Sequence, residues 1–129
     1  MQEQLFKTKV SEAEILKSIL VFLKLKRIFH WRQNSGSYAN DNRWISFGFK
    51  GCSDIIAIFP SGDKRGTMLT LEVKRPGGSL SDSQIEFILN VRKHGGCASV
   101  VESVEDVEKV LADPLWLPER YRKACYPGG

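Results

Sequence analysis

Asp54, Glu72 and Lys74 are the residues of this chain best suited by type and spacing to do chemistry. In the run 69–74, alternation along a strand places Leu69, Leu71 and Val73 on one side and Thr70, Glu72 and Lys74 on the other. Ionised groups inside a sheet are expensive unless paired or bound. The plain alternative is an edge strand with one solvated face and a Glu–Lys pair. Asp54 shifts the balance. It closes the turn Lys50-Gly51-Cys52-Ser53 and leads directly into the apolar run 55–59. If 55–59 and 67–74 pair antiparallel across the polar turn 60–66, the start of the first strand lies beside the end of the second, and the three residues converge. Two carboxylates meeting alone repel. A divalent cation resolves the repulsion, and oxygen ligands with retained water suit Mg2+ or Mn2+. Lys74 is then placed to orient or activate an attacking water, or to stabilise charge developing on a phosphoryl group.

A third carboxylate is available from the helix read over 11–27. There Ile15, Leu16, Ile19, Phe22 and Leu23 form one apolar stripe. Glu12 lies on the midline of that stripe, whereas Glu14 lies roughly 200° away and has capping-box spacing from Ser11. Glu12 therefore points toward the sheet. The competing reading is a favourable charge at a helix N-terminus.

The elements that must position these residues follow from the chain's punctuation. Strand candidates run over 28–34, 43–49, 55–59, 67–74 and 97–101, and a polar loop is expected over 35–42. Helices are expected over 81–96, with capping-box spacing between Ser81 and Gln84 and a Gly95-Gly96 stop, and over 103–113. The tail from 114 reads as irregular, aromatic and basic. Early strands joined by short links favour antiparallel neighbours, and the strand–helix–strand unit over 67–101 favours a parallel crossover. The expected fold is α/β, a mixed sheet flanked by helices in a single domain over 1–129 with its motif-bearing core over about 11–111.

Composition narrows the function classes. The chain has 129 residues, 42% hydrophobic, with 19 Lys+Arg against 15 Asp+Glu, a mildly basic balance compatible with a polyanionic partner. No run approaches the ~20 apolar residues of a membrane span, and the N-terminus lacks the apolar stretch of a signal peptide. The three cysteines, Cys52, Cys97 and Cys125, are far apart and odd in number, the pattern of reduced thiols in an intracellular, soluble protein.

The set of a helix carboxylate, a strand-starting Asp and Glu-x-Lys on the next strand resembles the PD-(D/E)XK nucleases, with a restriction-endonuclease-like fold. Seventeen residues separate Asp54 from Glu72, and Ser53 stands where that superfamily's motif has proline. The run Glu72-Val73-Lys74-Arg75-Pro76-Gly77-Gly78, followed by Leu80-Ser81 and Gln84, and the upstream Arg32, Asn34 and Gly36, narrow the resemblance to the VRR-NUC (virus-type replication-repair nuclease) domain. It covers nearly the whole chain and resembles stand-alone, phage-type members.

The resemblance implies Mg2+- or Mn2+-dependent hydrolysis of phosphodiester bonds in branched DNA. Four-way (Holliday) junctions are the expected substrate; flaps, splayed arms or a non-catalytic branched-DNA-binding module are the alternatives. It further implies metal ligation by Asp54 and Glu72 with the Val73 backbone carbonyl, and Glu12 as a further ligand. It assigns Lys74 as the catalytic lysine, and Gln84 an active-site role that competes with simple helix capping. A homodimer and the cytoplasm of a bacterial host are expected. Two-fold symmetry would supply two sites for two strands, with Leu115, Trp116, Leu117 and Tyr121 of the tail, or Val21 and Leu25 of the first helix, as interface candidates. Candidate DNA contacts are Arg32, Asn34, Lys50, Arg75, Gly77 and Gly78, with Arg43, Lys64 and Arg65 as further cations and Trp31, Tyr38 and Trp44 as stacking candidates.

Overall fold

The computed structural model describes residues 10–33, 36–40 and 43–126, with the backbone alone over 36–40 and 44–47. The element order is α1 (Glu12–Leu25), β1 (His30–Arg32), β2 (Gly36–Asn40), β3 (Arg43–Phe47), β4 (Ile55–Ile58), a 3-10 turn (Gly62–Lys64), β5 (Met68–Val73), α2 (Asp82–Lys93), β6 (Cys97–Val101), α3 (Val104–Ala112) and α4 (Glu119–Cys125). Strands β1, β4, β5 and β6 form one mixed sheet in that order, antiparallel except for the parallel β5–β6 pair. The α/β fold expected from the strand–helix pattern is the one observed. No helix among the described residues is long and apolar enough to cross a membrane.

Helices α1, α2 and α3 each begin at a serine whose side chain caps the first turn. In α1, Ser11 Oγ accepts the Glu14 N–H, and Ile15, Ile19 and Leu23 are buried on one side. Its end is closed by the Ile28 N–H on the Leu23 carbonyl and the Arg27 N–H on the Lys24 carbonyl, with Arg27 at φ 57° where glycine is the usual occupant. Helix α2 carries the full reciprocal capping box between Ser81 and Gln84. Helix α3 buries Val107 and Val110.

The helices cover the two sides of the sheet. Leu69, Leu71 and Val73 of β5, with Ile55, Ala57, Cys97 and Val101, pack against Ile15, Ile19 and Leu23 of α1 and Val107 and Val110 of α3. A second cluster joins Ala98 and Val100 of β6 to Ile88 of α2 and to Leu117, Tyr121 and Cys125. Strand β5 is thus interior, with neighbours on both sides, which removes the reading of it as an edge strand with a solvated face.

Two further expectations are corrected. The stretch read as a polar loop over 35–42 contains β2, paired antiparallel with β3 from Gly36↔Phe47 to Asn40↔Arg43. Its composition signals a turn; its strand geometry comes from a partner that composition cannot report. The tail is not irregular either. It ends in α4, and Leu117, Tyr121 and Cys125 are buried against their own chain because they complete the α2–β6 core. Trp116 packs on the other core and Leu115 is exposed, as are Val21 and Leu25 of α1. Leu117 and Tyr121 are therefore not surface residues available for an interface.

Candidate active site

The antiparallel register Ile55↔Leu71 sets the site. One step further along, Asp54 falls beside Glu72. The Asp54 backbone carbonyl accepts the Gln33 N–H at 2.8 Å, and its Oδ2 accepts the Val73 N–H at 2.7 Å, so the residue is fixed at its main chain and at one carboxylate oxygen. Loop 48–53 delivers Asp54 through a close approach. Gly51 has φ +82°, and a Cβ there would lie 2.2 Å from the Ser83 carbonyl oxygen at the start of α2. Only glycine fits that contact.

Glu72 is 2% exposed, and its Oε1 has no hydrogen-bond partner. Burial, then the hydrogen bond and charge of the neighbouring Asp54, push its carboxyl up to about 10; Lys74 works against the shift and Glu12 adds to it. Lys74 is half-buried, with its backbone N–H on the Val101 carbonyl at 3.0 Å. Cys52 also belongs to this neighbourhood. Its thiol is pushed up by burial first and then by the charges of Glu72 and Asp54.

A cleft of about 470 Å3 opens over Asp54 and Val73, lined also by Glu12, Leu16, Lys17 and Arg32. The structure thus brings Glu12 and Arg32 to the same cleft as Asp54. It does not gather three Asp, Glu, His or Cys side chains into one ready metal-ligand group among the described residues. The donor set nevertheless fits a hard divalent cation. A buried carboxylate oxygen without a partner sits next to a second carboxylate, and both are oxygen donors of the kind Mg2+ and Mn2+ prefer.

The remaining sequence candidates divide. Gln84 stands at the start of α2 with its Oε1 accepting the Ser81 N–H at 2.9 Å, which is its cap role. Gly77, at φ +86°, and Gly78 form the loop after Lys74, where Arg75 is exposed. Lys50 lines a different and larger cavity of about 670 Å3, an apolar groove along α2 with Phe49, Met68 and Phe87. Lys64 and Arg65 lie at the turn end of the β4–β5 hairpin, four register pairs away from Asp54 and Glu72. A hairpin places its turn and its open end apart, and that removes both from the site. Trp31 is exposed on the edge strand β1. Asn34 lies outside the described residues, as do the side chains of Tyr38 and Trp44.

Sequence reasoning passed over Cys52, Lys17 and the close-approach role of Gly51. Gly51 alone carried a signal, a glycine in the turn leading to the strand-starting Asp. Sequence reasoning named Tyr121 only as an interface candidate, whereas its hydroxyl donates to the Gly78 carbonyl at 2.5 Å.

A sequence model of the VRR-NUC domain matches residues 7–105. No curated protein matches the chain. The matched segment holds Glu12, Asp54, Glu72, Lys74 and Gln84 and stops before α4. Domains of this type are nucleases that act on DNA and generally depend on a divalent metal. With the match covering most of the chain, the chain belongs to the VRR-NUC family of nucleases.

Proposed function

We propose that the protein is a Mg2+- or Mn2+-dependent endonuclease that hydrolyses phosphodiester bonds in branched DNA, four-way junctions foremost, as a homodimer. The observation that carries the chemistry is the buried Glu72 carboxylate, with one oxygen unpartnered, beside an Asp54 carboxylate locked by the Val73 N–H. Asp54 and Glu72 would hold the cation, with the Val73 carbonyl as a third oxygen. When bound, the cation supplies Lewis-acid polarisation of the phosphate and a more acidic water.

The chain's own residues do the rest. Val73 N–H holds Asp54 in one orientation, with Glu72 beside it. Lys74 leaves the same strand end and sets a positive charge against the negative charge that builds on the phosphoryl oxygens as water attacks and the P–O bond breaks. Arg32 and Lys17, on the cleft wall, neutralise the flanking phosphates. Glu12 shares that wall and completes the acidic side of the cleft.

Two strands of a junction need two such sites, and a two-fold dimer supplies them. The exposed Val21 and Leu25 of α1 and Leu115 of the tail are the apolar surface for that contact. A fixed-arm four-way junction, a flap, a splayed arm and a linear duplex, each incubated with Mg2+ or EDTA, test the substrate. Paired symmetric nicks on the junction support the reading. Cutting mainly on flaps or splayed arms keeps the chemistry and replaces the substrate. Tight junction binding without cutting leaves a binding module.

A further inference from the structure

Lys74 is followed by a segment with little stiffness of its own. Gly77 sits at φ +86° with open space around it, and Gly78 follows. Two adjacent glycines leave a backbone free to sample many conformations. Yet the space into which a Gly78 side chain would project is bounded by the lysine stem and the Arg75 carbonyl. A Cβ built there would be 3.3 Å from Lys74 Cβ and 3.5 Å from Lys74 Cδ. Where this loop rests therefore sets how the Lys74 side chain leaves the strand.

The loop is fastened from outside the VRR-NUC match. Tyr121 of α4 is 5% exposed, and its Oη donates to the Gly78 carbonyl at 2.5 Å. Arg120 Nη2 donates to that same Oη at 2.9 Å, which directs the hydroxyl's own proton to Gly78. Arg120 is in turn ion-paired with Glu102, the residue after Val101, and the Val101 carbonyl accepts the Lys74 N–H. The contacts close a ring: Lys74 to Val101 and Glu102, across to Arg120 and Tyr121, and back through Gly78 to the Lys74 stem. Inside the loop, the Gly78 N–H donates to the Arg75 carbonyl at 2.8 Å and closes 75–78 as a turn.

We propose that α4 is a brace for the candidate active site, in which Tyr121 acts as a positioning residue that fixes the 75–78 loop and, through Gly78, the Lys74 side chain. The inference rests on the nuclease reading for its consequence in cleavage, but the brace is a physical contact that can be read without catalysis. Tyr121→Phe is the fitting variant. It keeps the buried ring among Ile88, Ala98, Val100 and Leu117 and deletes the one hydroxyl.

The test uses the full chain, wild type against Tyr121→Phe, with Arg120→Ala as a second variant that removes the hydroxyl's orienting donor. Thermal melting and junction binding in EDTA are measured first; Tyr121→Phe is expected to lower the melting temperature by only the few degrees that one hydrogen bond is worth and to bind the junction as wild type does. Amide hydrogen exchange over 75–80 is then expected to accelerate about tenfold, the size of losing one hydrogen bond to a loop, while exchange in β6 and α3 stays unchanged. Acylation of the Lys74 amine, read by mass spectrometry, is expected to change in rate. Single-turnover cleavage in Mg2+ is expected to slow about tenfold, a modest misplacement of a catalytic group, with the concentration of DNA giving half-maximal rate unchanged. Arg120→Ala is expected to move the same readouts in the same direction by less.

Unchanged exchange and Lys74 labelling in Tyr121→Phe would overturn the brace whether or not the protein cuts DNA. Faster exchange with an unslowed rate of cutting would also overturn it, since the loop would then not position anything the reaction uses. If wild type cuts no substrate while exchange and labelling still shift, the brace stands and the nuclease reading is what fails.

Discussion

Leu69, Leu71 and Val73 on one face of β5, and Thr70 and Glu72 on the other, are all withdrawn from solvent. The first three meet α1 and α3 with apolar surface on both sides. The second face leaves Thr70 Oγ1 and Glu72 Oε1 buried with no hydrogen-bond partner. A buried group without a partner costs roughly 1–3 kcal/mol, more when charged. That cost, set beside an opposite face packed with apolar side chains, is what marks the second face as the candidate site. Burial is common to both faces; the unpartnered Glu72 oxygen beside Asp54 is what distinguishes the second.

The largest test of that contrast exchanges Glu72 for its isostere. Glu72→Gln removes an ionisable donor without changing shape. Cleavage of branched DNA is expected to fall about a thousandfold, measured under single turnover. Stability in EDTA should hold or rise, because a buried acid has gone. A parallel loss of folding would mean the carboxyl is structural and the contrast is false.

The opposite face should behave in the opposite way. Leu71→Ala opens a cavity between the sheet and α1, and unfolding in urea should show a loss of about 2–5 kcal/mol. The fraction that stays folded should cut DNA at nearly the wild-type rate. Loss of activity without loss of stability would show that both faces serve the site.

Protons sharpen the comparison further. Burial beside Asp54 raises the Glu72 carboxyl from 4.5 to about 10 in the folded chain. Between those values the metal-free folded state binds a proton that the unfolded state has released. The stability gradient with pH is then negative, so this group's contribution is lost as pH rises through that window. Melting in EDTA at pH 6 and pH 9 should show a larger fall for wild type than for Glu72→Gln. Binding Mg2+ or Mn2+ should release a proton and tighten as pH rises, which calorimetry in buffers of different ionisation enthalpy reads directly. Binding without proton release would place the ion elsewhere.

The smallest effect lies far from both faces. Arg27 closes α1 at φ 57°, a conformation costing a non-glycine residue about 1 kcal/mol. Arg27→Gly should change stability by no more than about 1 kcal/mol in either direction, with cleavage unaltered. A change in cutting there would show that stability and chemistry are not separable in this chain.

These contrasts explain what was legible in the sequence. Glu72 and Asp54 could be paired from the sequence because a single antiparallel turn joins their strands, and local spacing then dictates who meets whom. The stripe of α1 and the caps at Ser11 and Ser81 were legible for the same reason: each is decided within a few residues. What stayed hidden depended on distant partners. β2 is a strand because β3 pairs with it, although its own residues favour a turn. α4 is a seven-residue helix led by Pro118, too short to declare itself, and it is held by contacts to α2 and β6. Tyr121 reaches Gly78 across 43 positions, and no periodicity announces such a contact.

One measurement bears most directly on the account. Wild type and Lys74→Ala would each be mixed in excess with a fixed-arm four-way junction and supplied with Mg2+ or EDTA, with junction binding measured alongside. The account predicts paired cuts by the wild type in Mg2+ alone, no cuts by Lys74→Ala, and equal binding by both. Cutting by Lys74→Ala at the wild-type rate, or cutting that survives EDTA, would contradict the assignment of Asp54, Glu72 and Lys74 as the reacting centre.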